Sequence, residues 1–142
     1  MAFLANKMNR TIKFRGKSIY GEDWLYGSLV KNEKDRYAVI PPLNNIEIGK
    51  SIGMYEIYPE TVGQFTGLFD KNGKEIYERD ILHTITFGFE PEEYTAIILY
   101  DNCRFQLSNG RNLFYFGQSD LTKMDDTIVI GNIYDNPELI IP

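Results

Sequence analysis

The sequence predicts a mainly β fold, a small barrel or orthogonal roll with at most short helical turns. Three observations carry this expectation. Ten Tyr, nine Phe and twelve Gly in 142 residues favour strands, where flat rings stack across neighbours, and tight turns between them. Apolar residues alternate or fall in short blocks, and no segment keeps the helical spacing for four turns. Turn signals recur at short intervals, as in compact all-β domains.

Residues 1–9 read as a flexible leader, with Met8 an equally good translation start. From Thr11, Ile12 and Phe14 alternate with Lys13, Arg15 and Lys17, which predicts an edge strand with a buried Phe14 and a basic outer face. Trp24 to Val30 and Arg36 to Ile40 read as two strands of a hairpin around the polar turn 31–35. Pro41-Pro42 then ends pairing, because proline has no backbone N–H. Between Leu43 and Tyr58 the best strand is Tyr55 to Tyr58.

The stretch from Glu60 to Tyr77 is the centre of the pattern. Val62, Phe65, Leu68 and Ile76 are its apolar anchors, and Asn72-Gly73 predicts a two-residue type I′ turn, in which both residues take positive φ. Glu78-Arg79-Asp80-Ile81-Leu82 leads into a strand running to Phe87, with the aspartate expected to tie its loop by accepting backbone N–H bonds. Gly88 to Glu93 is an acidic loop. Tyr94 to Tyr100 is the most apolar run and predicts a strand covered on both faces. Asp101-Asn102 turns it back through Cys103 to Leu107. Asn109-Gly110 marks another reversal, Ser119 to Met124 one helical turn capped by Ser119 or Asp120, and Thr127 to Ile130 a last strand before the turn-rich 131–137.

Composition narrows the chemistry. The formal charge of −5 gives a field that repels polyphosphate. With one cysteine, Cys103, and one histidine, His83, the chain cannot close a disulfide on itself, nor supply the roughly four soft ligands of a structural zinc. No apolar run approaches the roughly twenty residues of a membrane helix, and the first residues are too short for a signal sequence. A cytoplasmic setting with no membrane contact is the expectation. Asp70-Lys71-Asn72-Gly73 has glycine and carboxylate at the wrong positions for an EF-hand, so it reads as a hairpin. Glu78 and Asp80 read as turn residues rather than a metal or acid–base pair. His83 and Cys103 lack the framing of a nucleophile–base pair. Catalytic, cofactor-binding and metal residues are therefore all expected to be none.

The centre and both ends resemble the YopX family of phage and prophage proteins. The resemblance rests on Glu60-Thr61-Val62-Gly63-Gln64-Phe65-Thr66-Gly67-Leu68, on Asp70 to Glu78 and Asp80-Ile81, on Ile130 to Leu139, and on Ile12 to Lys17; residues 83–125 match poorly. It implies an SH3-like barrel, phage or prophage origin, self-assembly, and no established activity. A single YopX-like domain then spans 10–142, with a hairpin region over 10–58, a barrel core over 60–134 and a tail over 135–142. Where this chain has Arg79 the family pattern has glycine. If that position needs positive φ, Arg79 carries a strain of about 1 kcal/mol.

The functional expectation is a non-enzymatic accessory protein of a bacterial host cell. It would work by protein–protein contact or self-assembly, as a homo-oligomer or with a host or phage protein. Consecutive Phe114, Tyr115 and Phe116 place rings on both faces of a strand and are the candidate self-association residues. The alternative is a nucleic-acid-binding barrel contacting phosphates through Lys13, Arg15 and Lys17. A hydrolase is the remaining, more distant reading.

Overall fold

A computed structural model of the chain describes residues 11–42, 53–85, 92–108 and 126–140. The leader, residues 43–52, much of the acidic loop, Phe114 to Phe116 and the 119–124 turn lie outside the described residues. Ten strands follow in chain order: β1 (Phe14–Lys17), β2 (Trp24–Lys31), β3 (Tyr37–Ile40), β4 (Tyr55–Ile57), β5 (Gly63–Phe69), β6 (Glu75–Tyr77), β7 (Asp80–Ile85), β8 (Glu93–Asp101), β9 (Arg104–Leu107) and β10 (Thr127–Asn132). Two single 3₁₀ turns, Pro59–Thr61 and Pro137–Leu139, are the helical content among the described residues. The mainly β expectation holds.

The chain forms two compact units, Met1–Gly67 and Leu68–Pro142. In the first, β4, β3, β2, β1 and β5 lie side by side in that order, paired antiparallel from β4 to β5. β5 continues beyond Gly67 and carries β6 as its neighbour in the second unit. The remaining strands make an antiparallel sheet ordered β10-β7-β8-β9.

These are two open sheets, and the expected closure into a barrel does not occur among the described strands. The physical reason is what occupies the sheet edges. The outer side of β4 meets the chain leaving β1 through one bridge, Ser18 with Ile57, and a Tyr58 N–H bond to Lys17 O of 2.9 Å. Pro59 follows at once and cannot donate. The outer side of β10 is taken by a turn: Lys71 N donates to Thr127 O at 2.8 Å, and Val129 N donates to Asp70 Oδ2 at 3.0 Å.

The N-terminal hairpin is β2–β3, in register from Ser28 opposite Ile40 to Lys31 opposite Tyr37. Gly27 makes it possible: a Cβ there would sit 1.9 Å from Ile40 O. Pairing ends at Ile40, before Pro41-Pro42, as expected. β1 departs from its expectation. It is no edge strand, for it lies between β2 and β5. Ile12 is exposed, Phe14 only half-buried, and Arg15 buried at 5% exposure. Arg15 folds its guanidinium 4.5 Å above the Trp24 ring, which screens a charge that alternation alone would leave in water.

The turn at Asn72-Gly73 is also different from the type I′ expectation. Only Gly73 has positive φ, +83°. The loop has three residues, Lys71-Asn72-Gly73, closed by Asp70 N to Lys74 O at 2.8 Å and Gly73 N to Asp70 O at 2.9 Å. This is the type I turn with a left-handed last residue that three-residue hairpins use. Asp70 selects it, because its buried Oδ1 accepts from Asn72 N at 2.8 Å and Lys74 N at 2.9 Å. The β2–β3 hairpin repeats the device. Asn32 Oδ1 accepts from Lys34 N at 2.9 Å and Arg36 N at 3.0 Å, and Asp35 takes the left-handed place at φ 57°.

The second unit packs Ile76, Leu82, Ala96, Ile98 and Leu107 into one core, with Leu68, Tyr94, Phe105 and Val129 against it. β8 is covered unevenly. Ala96 and Ile98 face the core, whereas Ile97 and Leu99 on the other face are half-buried and Thr95 is exposed. Continuous hydrophobicity thus overstated the covering of its second face. Thr84 and Thr127, buried and directly paired, share a 2.8 Å hydroxyl bond between β7 and β10.

Candidate functional site

A trough of about 400 Å³ opens on the β2–β3–β4 face of the first unit. Strand register builds it. Ala38 on β3 stands opposite Val30 on β2 and Glu56 on β4, so the smallest side chain lies between two larger ones and leaves a depression. Tyr20, Tyr37, Met54 and Tyr55 complete the apolar lining, with Asn32 and Arg36 at the turn end. Tyr20 is 88% exposed, Met54 60% and Tyr55 52%; large apolar side chains this open around one recess are more than the single exposed residue any surface carries.

The loop that carries Tyr20 is tied down. Ser18 N donates to Asp23 O at 3.0 Å, Tyr20 N to Ser18 Oγ at 3.1 Å, and Ile19 N to Glu56 O at 3.2 Å. The ring therefore stands on an anchored backbone beside β4.

One ion pair crosses the trough. Arg36 Nε donates to Glu56 Oε2 at 3.1 Å, and Nη2 donates to Glu56 Oε1. This two-point geometry is the one guanidinium and carboxylate prefer. The hydrogen bond from Arg36 holds the Glu56 carboxyl below its ordinary range; burial opposes it, and the Arg36 charge adds a lesser pull in the same direction as the bond. Both partners are thus charged at neutral pH and cancel. The ionising groups of the trough satisfy each other, an arrangement suited to recognition by shape and hydrogen bonds.

Residues singled out from the sequence fall elsewhere. On β1 Lys17 joins Arg15 over Trp24, its Nζ 5.5 Å from the ring, and Lys13, just before the strand, lies 5.5 Å from the Phe65 ring. Their stems and charges serve packing on aromatic rings. Phe114, Tyr115 and Phe116 lie outside the described residues. His83 is half-exposed on β7 opposite Thr95, while Cys103 is exposed at the β8–β9 turn. Six residue steps along β8 separate Thr95 from Asp101, about 20 Å at strand rise, so the two are not brought together. Asp80 is buried and its Oδ2 accepts from Tyr77 N at 2.8 Å, the loop tie expected of it. Among the described residues no group of three His, Cys, Asp or Glu is placed to hold a metal ion, and no helix is long and apolar enough to cross a membrane.

The trough residues were not marked by any sequence motif. Arg36 and Glu56 are twenty residues apart and meet only through β3–β4 pairing. The one local signal is Ala38, a lone small residue between Tyr37 and Val39.

Fold and site together define a mainly β protein of two antiparallel sheets with a tyrosine-lined trough on the first. The chain belongs to the YopX family: the family model, described as YopX protein, matches residues 13–141. A comparison with curated proteins found no match. Among solved structures the chain is similar to protein EF1440 from Enterococcus faecalis, with 29% identity over 94% of this chain and 100% of that one, and a TM-score of 0.63.

The residues that carry the family likeness have structural employment. Asp70 and Asp80 bind turn amides, and Thr61 Oγ1 accepts from Lys17 N at 2.9 Å while donating to Tyr58 O at 2.7 Å. Asn132 Oδ1 accepts from Tyr134 N at 3.0 Å and Asp135 N at 2.9 Å. Buried polar groups of this kind fix which turn the backbone takes.

Proposed function

We propose that this protein is a phage- or prophage-encoded accessory protein of the bacterial cytoplasm that acts by contact with other protein surfaces, not by catalysis. The observation that carries the reading is the trough: three tyrosines, Tyr20, Tyr37 and Tyr55, with Met54 and Val30 around the Ala38 floor and a self-neutralised Arg36–Glu56 pair. Tyrosine, methionine and arginine are enriched where proteins meet, since each gives large contact area with a polar end. The family membership supports an accessory role, because the YopX likeness brings no activity with it. The SH3-like reading over residues 60–134 draws its support from the β7–β8–β9 meander with β10 returning beside β7, which packs on one apolar core.

Capture from a lysate of a prophage-bearing bacterium tests this when wild type is compared with a Tyr20→Ser, Tyr55→Ser double variant. Both positions are more than half exposed, so the variant keeps its fold. A discrete protein retained by wild type and lost from the variant is the expected result. Equal capture by both overturns the assignment of the trough.

A further inference from the structure

We infer that the trough holds an uncharged, proline-rich segment of a partner protein, extended as a polyproline II helix across β2, β3 and β4. The inference rests on the trough being a protein-contact surface and adds the chemistry of the segment it contacts.

Charge is the first argument. Arg36 and Glu56, the ionised side chains of the lining, are committed to each other by two bonds. An occupant with a charge of its own gives up water to enter and meets no counter-charge in return. The segment that fits is therefore neutral.

The balance of donors and acceptors is the second argument. Both carboxylate oxygens of Glu56 already accept from Arg36. Asn32 Oδ1 already accepts from the amides of Lys34 and Arg36. What these side chains have left to give is N–H: the amide NH2 of Asn32 and the remaining guanidinium donors of Arg36, whose side chain is 62% exposed. Tyrosine hydroxyls serve in either sense, so the lining is richer in donors than in acceptors. An ordinary peptide brings an N–H with every C=O and would leave its donors unmatched. Proline brings the C=O alone.

Shape is the third argument. Tyr20, Tyr55 and Met54 stand open around the recess floored by Ala38, and aromatic-lined grooves of this kind take proline rings between their own. Proline has almost no side-chain freedom to lose on burial, and a polyproline II backbone is extended before it binds. Three strands at the usual spacing make the floor about 10 Å across. One turn of polyproline II advances about 9 Å in three residues, so prolines three apart reach the β2 and β4 margins together.

Isothermal titration of the full chain with acetyl-decaproline-amide provides the test, with a capped Gly-Ser peptide of the same length as control. Wild type is expected to bind decaproline with a Kd of about 10⁻⁴ M or tighter, and at least about tenfold more tightly than the control. Tyr20→Ser, Tyr55→Ser, at exposed positions that leave folding intact, is expected to weaken binding at least about tenfold. Asn32→Asp keeps the oxygen that closes the β2–β3 turn but replaces the amide donor by an acceptor, and a loss of about fivefold is expected. Decaproline held no better than the control overturns the inference, and so does binding that neither the tyrosine variant nor Asn32→Asp weakens. Failure of decaproline to bind, combined with a captured protein lost on Tyr20→Ser, Tyr55→Ser, would leave the contact-surface reading standing and remove only the proline-rich segment.

Discussion

Four residues other than glycine hold positive φ among the described ones: Asp35 at 57°, Arg79 at 71°, Asn102 at 52° and Cys103 at 62°. Each sits where the chain reverses. Arg79 is kept there by its backbone, with N donating to Ile98 O at 2.8 Å and O accepting from Ile133 N at 3.1 Å, so it cannot relax without breaking both bonds. A left-handed conformation costs a residue with a Cβ about 1 kcal/mol, partly offset because glycine loses more freedom on folding. Arg79→Gly is therefore expected to raise stability by about 0.5–1 kcal/mol, read as a Tm increase of about 2–3 °C. Asn102 and Cys103 form the two-residue turn with both φ positive that Asn72-Gly73 was expected to make, and Cys103→Gly should bring a similar gain. Asp70 behaves oppositely. Its buried carboxylate serves three backbone amides, of Asn72, Lys74 and Val129, and leaving such donors unpaired is costly. Asp70→Ala is expected to lower the free energy of unfolding by about 3 kcal/mol in urea titration. Asp70→Asn, which keeps one acceptor oxygen, should cost distinctly less.

Pairing between strands sets the next scale. Thr84 and Thr127 satisfy each other across β7 and β10 with both hydroxyls buried. Removing one takes this bond from the other, whereas removing both leaves an apolar pair of the same shape. Thr84→Val and Thr127→Val are each expected to cost about 1–2 kcal/mol, and the double variant less than their sum, a coupling that a double-mutant cycle measures directly. β3 and β4 are joined at their exposed ends by Arg36 and Glu56. Glu56 titrates below its ordinary 4.5 in the folded chain. Its contribution is therefore complete above the unfolded value and disappears as pH falls through the lowered one. Stability curves of wild type and Glu56→Gln should differ by a constant amount at neutral pH. They should converge below about pH 4.5, the sign expected of a depressed carboxylate.

For the molecule as a whole, net charge governs what approaches it. Lys13, Arg15 and Lys17 are folded onto Trp24 and Phe65 in a chain of charge −5, so weak binding of a single-stranded oligonucleotide is the expectation. Fluorescence anisotropy at 150 mM salt is expected to give a Kd weaker than about 10⁻⁴ M, the upper end of ordinary non-specific binding. Micromolar binding that steepens on lowering salt and is lost on Lys13→Ala, Lys17→Ala would revive the nucleic-acid reading.

The amino-acid sequence by itself determined the β class, the hairpin over residues 24–40, the stop at Pro41-Pro42 and the turn-tying part of Asp80, while the positive φ of Arg79, raised only as a condition by the family likeness, was decided by the structure. The first four follow from φ preferences, missing donors and side chains that reach only a few residues along the chain. Tertiary structure alone decided that β1 is an inner strand, that the sheets stay open, that the Asp70 loop has three residues, and that Ala38, Arg36, Glu56 and Tyr20 share one face. Those outcomes depend on which strands lie side by side, and pairing between distant segments is chosen by the summed packing of both, which no local pattern of one segment contains.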